Sequence, residues 1–164
     1  MGSAILSACK AYRYSLSRDI CNTGGMVIAY IGINPSTADA DIDDHTVRKW
    51  FGFAERNNAK RFIVGNAFAL RSTDVKGLLD SEDPIGVDND KYLSKIIEEA
   101  DLLVPCWGSR RKTPNALHQR FDDILSMLAS SGKPVMCLGT TKSGDPKHPL
   151  MLPYSTELVP YDCR

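Results

Sequence analysis

No run in this chain approaches the ~18 consecutive apolar residues that a membrane-spanning helix needs. Its opening, MGSAILSACK, lacks both the charged start and the long apolar stretch of a secretory leader, and the Leu at position 6 breaks the myristoylation pattern. Net charge is missing too. Twenty basic and twenty acidic residues cancel, so the molecule as a whole has no field that would draw it onto DNA or an anionic membrane. The five cysteines (Cys9, Cys21, Cys106, Cys137, Cys163) are odd in number and form no C-x-x-C pair, which argues against a disulfide framework and a zinc site. A Gly-rich phosphate loop is also absent, and with it the simplest route to a phosphotransferase. These absences lead us to expect one cytoplasmic domain over residues 1–164 that needs no cofactor and no metal.

What the chain does have is alternation. MVIAYIGI (26–33), RFIVGNAF (61–68), LLVPCW (102–107) and PVMCLG (134–139) are continuously apolar runs, the pattern of strands covered on both faces. Helical patterns lie between them. Asp44 is placed to cap a helix bearing Val47, Trp50, Phe51 and Ala54 on one face. Asp88 or Asp90 is placed to cap a second, with Leu93, Ile96 and Ile97 inward, and Thr113-Pro114 reads as the start of a third, with Leu117, Phe121, Ile124, Leu125 and Leu128 along its stripe. Ahead of all these, YRYSLSR (12–18) alternates like a short strand, and Asn22-Thr-Gly-Gly25 reads as the turn after it. The expectation is an α/β fold: a three-layer sandwich around a four-stranded parallel sheet, in the spatial order 2-1-3-4 of the apolar runs, with an N-terminal edge strand or hairpin. Pro105 is the discord, since it removes a backbone donor from a strand that should lie inside the sheet.

Ligands of open parallel sheets bind beyond the carboxyl ends of the strands. In this chain each of those ends is polar. The first run leads into Asn34-Pro35-Ser36-Thr37, the second into Asn66 and then Arg71, the third into Trp107 with Arg110, Arg111 and Lys112, and the fourth into Thr140-Thr141-Lys142-Ser143 and then His148. Amides suit the edge of a neutral base, whereas hydroxyls and basic side chains suit phosphate. Arg71, Arg110, Arg111, Lys112 and Lys142 are therefore expected to surround the site and meet phosphate. The acidic residues at 39, 41, 43 and 44 have the spacing of a calcium loop, but neither the glycine nor the final Glu that such a loop requires. Helix capping accounts for most of that run, which is expected to face away from the site or hold a cation.

The strings INPSTADADIDDHTVRKWFGFA, VGNAFALRSTD, DPIGVDND, CWG and LGTTKSGDPKHPLML resemble the successive motifs of a bacterial and phage family, domain-of-unknown-function family 1643, over nearly the whole chain. A more distant likeness concerns Gly32-Ile33-Asn34-Pro35, Leu102-Leu103-Val104-Pro105-Cys106-Trp107-Gly108 and His148-Pro149-Leu150. Their order is similar to that of the G-x-N-P, L-L-W-G and H-P-S motifs of the uracil-DNA glycosylase superfamily. This resemblance implies that Asn34 orients a water molecule and that His148 donates to a base oxygen, the two catalytic positions. It also implies that Asn66 reads the base edge, that Ser36, Thr140, Thr141 and Ser143 meet phosphate, and that Pro35, Thr37, Arg71, Trp107, Arg110 and Lys142 complete the substrate site.

Two functions fit this reading. One is action on the N-glycosidic bond of a nucleotide or modified base, and the other is capture of a small nucleotide or nucleotide-derived signal in the same pocket without chemistry. Zero net charge shifts weight from duplex nucleic acid toward a small ligand carrying a nucleobase.

Overall fold

The computed structural model describes residues 2–20, 25–36, 38 and 41–164. Thr37, Asp39 and most of the turn expected at 22–25 lie outside the described residues. The architecture is mixed α/β, with a five-stranded sheet in the order β1-β2-β4-β3-β5. Its strands are β1 (Gly2–Leu6), β2 (Arg13–Asp19), β3 (Met26–Gly32), β4 (Ala59–Asn66) and β5 (Leu102–Pro105). β3 runs parallel to both β4 and β5, while β2 is antiparallel to both β4 and β1. Here the expectation of a four-stranded, all-parallel sheet needs correction. The N-terminal segment is a hairpin of two strands that joins the sheet antiparallel, and the fourth apolar run barely enters it.

The reason for that weak entry is Pro105. Leu103 N–H donates to Pro134 O (3.0 Å), and Leu103 bridges Val135 in parallel. Backbone donors two residues apart point the same way along a strand, so the next donor toward the fourth run would be that of residue 105. Proline has none. The run accordingly leaves after a single bridge, and β6 (Met136–Cys137) pairs instead with β7 (Val159–Pro160) in a separate two-stranded sheet. Pro105 does not disturb its other neighbour, because Cys106 N–H still reaches Ile31 O (2.9 Å).

β3 is buried on both faces, and its residues alternate between two apolar clusters. Val27, Ala29 and Ile31 pack with residues of α2 (Asn89–Glu99) and α3 (His118–Ser130), including Leu93, Ile96, Phe121, Ile124 and Leu128. Ile28 and Tyr30 pack with Val47, Trp50, Phe53 and Ala54 of α1 (His45–Arg56). Helix α1 begins where the sequence indicated, with the Asp44 carboxylate accepting from Val47 N–H at 2.9 Å. The start of α2 differs in detail: Asp88 stands at the cap position without a side-chain bond, and Asp90 pairs with Arg120.

Helix α3 begins later than Thr113-Pro114 suggested. The Thr113 hydroxyl closes the preceding turn on Arg110 O (2.7 Å) and so caps nothing; a short 3-10 turn, Asn115–Leu117, intervenes. Another 3-10 segment, Val75–Asp80, lies in the long connection between β4 and α2. Among the described residues, no helix is long and apolar enough to cross a membrane.

Candidate functional site

Where β3 and β4 end, Gly32 and Asn66 stand opposite each other as the last pair of their parallel ladder. A side chain on Gly32 would force the Asn66 amide to shift, because its Cβ would lie 2.9 Å from Asn66 Oδ1, with the Trp50 ring in contact at 3.6 Å. Glycine at this place lets an amide and an indole close in over the strand end. Asn66 is only 2% exposed, and its Nδ2 has no hydrogen-bond partner. A buried amide donor without a partner is costly. Its hydrogen-bonding capacity is left unused at the strand ends.

Above this pair the chain extends into Asn34-Pro35-Ser36. Asn34 Nδ2 donates to Ser72 O (2.8 Å) and to Pro35 O (3.1 Å). With both amide hydrogens engaged, the side-chain oxygen is held in one orientation and remains an acceptor. The turn itself is tied down by Ser72 N–H to Pro35 O and by Phe68 N–H to Ile33 O. Trp50 reaches in from α1, donating its indole N–H to Cys106 Sγ (3.3 Å) and stacking on Tyr30. Burial pushes the Cys106 thiol up to about 12, so it serves as a neutral acceptor.

His148 closes the other side. Gly108, at φ +81°, donates its N–H to Pro146 O and leaves room for His148, since a Cβ there would come within 3.3 Å of His148 Cβ. The ring's Nδ1 accepts from Leu150 N–H (3.2 Å). A backbone N–H only donates, so the neutral ring carries its proton on Nε2. Desolvation by burial holds the imidazole below its ordinary pKa of 6.5, outweighing the nearby Asp44 carboxylate, and Lys112 acts in the same direction as burial. The side chain is therefore a neutral hydrogen-bond donor at pH 7.

Together Asn34, Ser36, Asn66 and His148 line one cavity of about 160 Å³, along with Arg13, Gly32, Ile33, Asp44, Thr46, Trp50 and Val75. A cavity of ~150 Å³ holds one benzene ring, whereas sites for drug-sized ligands run to ~300–1,000 Å³. Its volume suits one heterocycle and not a whole nucleotide. Among the lining residues are acceptors, donors and the indole of Trp50.

The remaining residues expected at the site lie elsewhere. Pro35 is buried beneath the turn, and Arg71 sits beside it, its Nε donating to Ser36 O at 3.4 Å. Trp107 is buried in the core against Phe121. Arg110 is taken by carboxylates, pairing with Asp145 at 2.8 Å and Asp122 at 2.7 Å. The hydroxyls of Thr141 and Ser143 bond to each other and to Asp145, while Thr140 and Lys142 are exposed on the same turn. Arg110, Ser143 and Asp145 border a larger hollow of about 430 Å³, where the charged groups largely satisfy one another.

Sequence reasoning did not pick out Arg13, Thr46, Val75 or Trp50 for the cavity, and it read Asp44 as a helix cap in an acidic run expected to face away from the site or hold a cation; Asp44 caps its helix but faces the site, lining the cavity. Arg13 is 2% exposed and donates to Ala38 O, while Arg18 pairs with Asp43, so the arginines of β2 hold the acidic segment against the sheet. The available signal was charge within an alternating strand pattern: Arg13 and Arg18 break the polar-out rule by being buried. Among the described residues no group of three His, Cys, Asp or Glu is placed to hold a metal ion.

No curated protein and no solved structure matches the chain. A family model described as "Protein of unknown function (DUF1643)" matches residues 13–150, a span that begins at the cavity's Arg13 and closes just past its His148. With most of its length and every cavity-lining residue inside that match, the chain belongs to the DUF1643 family.

Proposed function

We propose that this protein receives a single nucleobase in the cavity between Asn34, Asn66 and His148 and acts on the N-glycosidic bond that joins the base to its sugar, in the manner of a uracil-DNA glycosylase. The observation that carries the reading is the buried, unpartnered amide of Asn66 in a cavity of one-ring size. Cleaving such a bond develops positive charge on the sugar and negative charge on the departing base. The Nε2–H of His148 then meets the base oxygen where that charge gathers, and the fixed oxygen of Asn34 orients the attacking water. Asn66 reads the base edge. Phosphate would lie outside the cavity, toward Arg71 and Lys112. The parallel part of the sheet belongs, on this reading, to a uracil-DNA glycosylase-like plan extended by the N-terminal hairpin; the support is the β4-β3-β5 order with Val135 bridged beyond β5.

The test is incubation with nucleotides and with base-modified oligonucleotides, followed by mass analysis for a free base. Release is the expected result. Asn34→Ala should abolish release while leaving base binding within a few-fold, and His148→Ala should weaken both, with a loss of about 10²–10³ in rate typical of removing a donor to a developing anion. Recovery of an intact bound nucleotide with no release would instead establish capture without chemistry.

A further inference from the structure

We infer that Asp44 is a further catalytic residue of this cavity, the group that takes the proton from the attacking water. The inference rests on the glycosidic reading above. In hydrolysis the water oxygen forms a bond to the anomeric carbon as the carbon–nitrogen bond breaks, and the electron pair of that bond leaves with the base. The water must then lose a proton. Most groups around the cavity cannot accept it. An amide such as Asn34 or Asn66 is not a base at neutral pH, and Arg13 is a cation. His148 has its basic Nδ1 engaged by Leu150 N–H and presents a hydrogen on Nε2. Ser36 and Thr46 offer only hydroxyls. Asp44 is the one carboxylate among the described lining residues.

Its placement suits the task. As the residue that opens α1, Asp44 uses Oδ1 to accept from Val47 N–H at 2.9 Å. That bond fixes the carboxylate on a rigid element, and Oδ2 has no hydrogen bond among the described residues. A cap alone would explain one oxygen. Independent of the cap, Asn66, 98% buried by its 2% exposure and unpartnered at Nδ2, marks the same cavity as one built for a ligand. The proton goes to Asp44 Oδ2 and from there to solvent or to the departing base, whose negative charge His148 holds meanwhile. One water is consumed; a free base and a sugar with a hydroxyl on its anomeric carbon are the products.

The experiment compares the full-length protein with Asp44→Asn and Asp44→Ser. Asn and Ser are both good N-cap residues, so each variant keeps the helix start while removing the carboxylate. Thermal unfolding checks the fold, calorimetry with free uracil, thymine, cytosine, adenine and guanine checks binding, and the release assay checks turnover. Expected is a fall in release of about 10²–10⁴, typical of losing a general base, with base affinity within a few-fold of wild type. Added formate should restore part of the activity of Asp44→Ser, which a capping role would not allow. Wild-type rates in both variants would overturn the inference while leaving the glycosidic reading intact. A loss of base affinity matching the loss of rate would overturn it in favour of a binding role. If the wild type itself releases no base, the glycosidic reading falls, and the inference with it.

Discussion

Replacing Asp145 by Asn probes the clamp that holds the loop carrying His148. The Asp145 side chain is 3% exposed, accepts from Arg110 N–H at 3.0 Å, from Arg110 Nε at 2.8 Å and from the Ser143 hydroxyl at 2.9 Å, and so ties the segment after β5 to the segment before His148. Removing one partner of a buried pair costs about 3–5 kcal/mol. Arg110 is 23% exposed and keeps Asp122, which places the loss near the lower end, about 3 kcal/mol. For a chain of this size each kcal/mol moves the unfolding temperature by roughly 2–4 °C, so a fall of about 6–12 °C is expected at pH 7.

The effect has a sign in pH. Burial raises the Asp145 pKa, but the hydrogen bonds and charge of Arg110, with help from Ser143, outweigh it and hold the carboxyl below its ordinary value of 3.8. A carboxyl depressed in the folded state contributes stability that is present above the unfolded pKa and lost as pH falls through the folded one. The gap between wild type and variant should therefore be full at pH 7 and shrink on acidification below 3.8. Thermal unfolding of both proteins across that range is the assay. An undiminished gap at the acid end, or no gap at neutral pH, would refute the reasoning.

Three further outcomes follow from the same structure. His148, held below its ordinary 6.5 by burial, binds fewer protons folded than unfolded; stability should thus decline as pH drops below that value, and His148→Ala should remove that part of the decline in a pH series of urea melts. Gly32→Ala puts a methyl 2.9 Å from Asn66 Oδ1, forcing the amide off its rotamer at about 0.5–1.5 kcal/mol; base affinity by calorimetry should fall by up to about tenfold, a change readable without any turnover. Phe121→Ala opens a cavity among Trp107, Phe68 and the inward face of β3, and should cost about 3–5 kcal/mol in denaturant unfolding without altering base affinity.

Local chemistry was enough to place several elements from sequence. Three continuous apolar runs became β3, β4 and β5 because strands buried on both faces have no polar side to display. Asp44 capped its helix as expected, since that cap needs only a carboxylate ahead of an apolar helical stripe. The Gly-Ile-Asn-Pro turn, too, announced a rigid polar strand end before any partner was known. What the sequence could not convey was which polar groups neutralise one another. Arg110, Thr141 and Ser143 looked free for phosphate, yet Asp145 takes all three, and that competition exists only once two loops distant in sequence are packed together. Both indoles are buried, Trp107 in the apolar cluster on one face of the sheet and Trp50 in the cluster on the other, but it is Trp50 that also lines the cavity. The antiparallel entry of the N-terminal hairpin and the early exit of the fourth run were likewise tertiary outcomes, although the residue responsible for the exit, Pro105, stood in plain sight: a missing N–H has a consequence only when a neighbouring strand is there to need it.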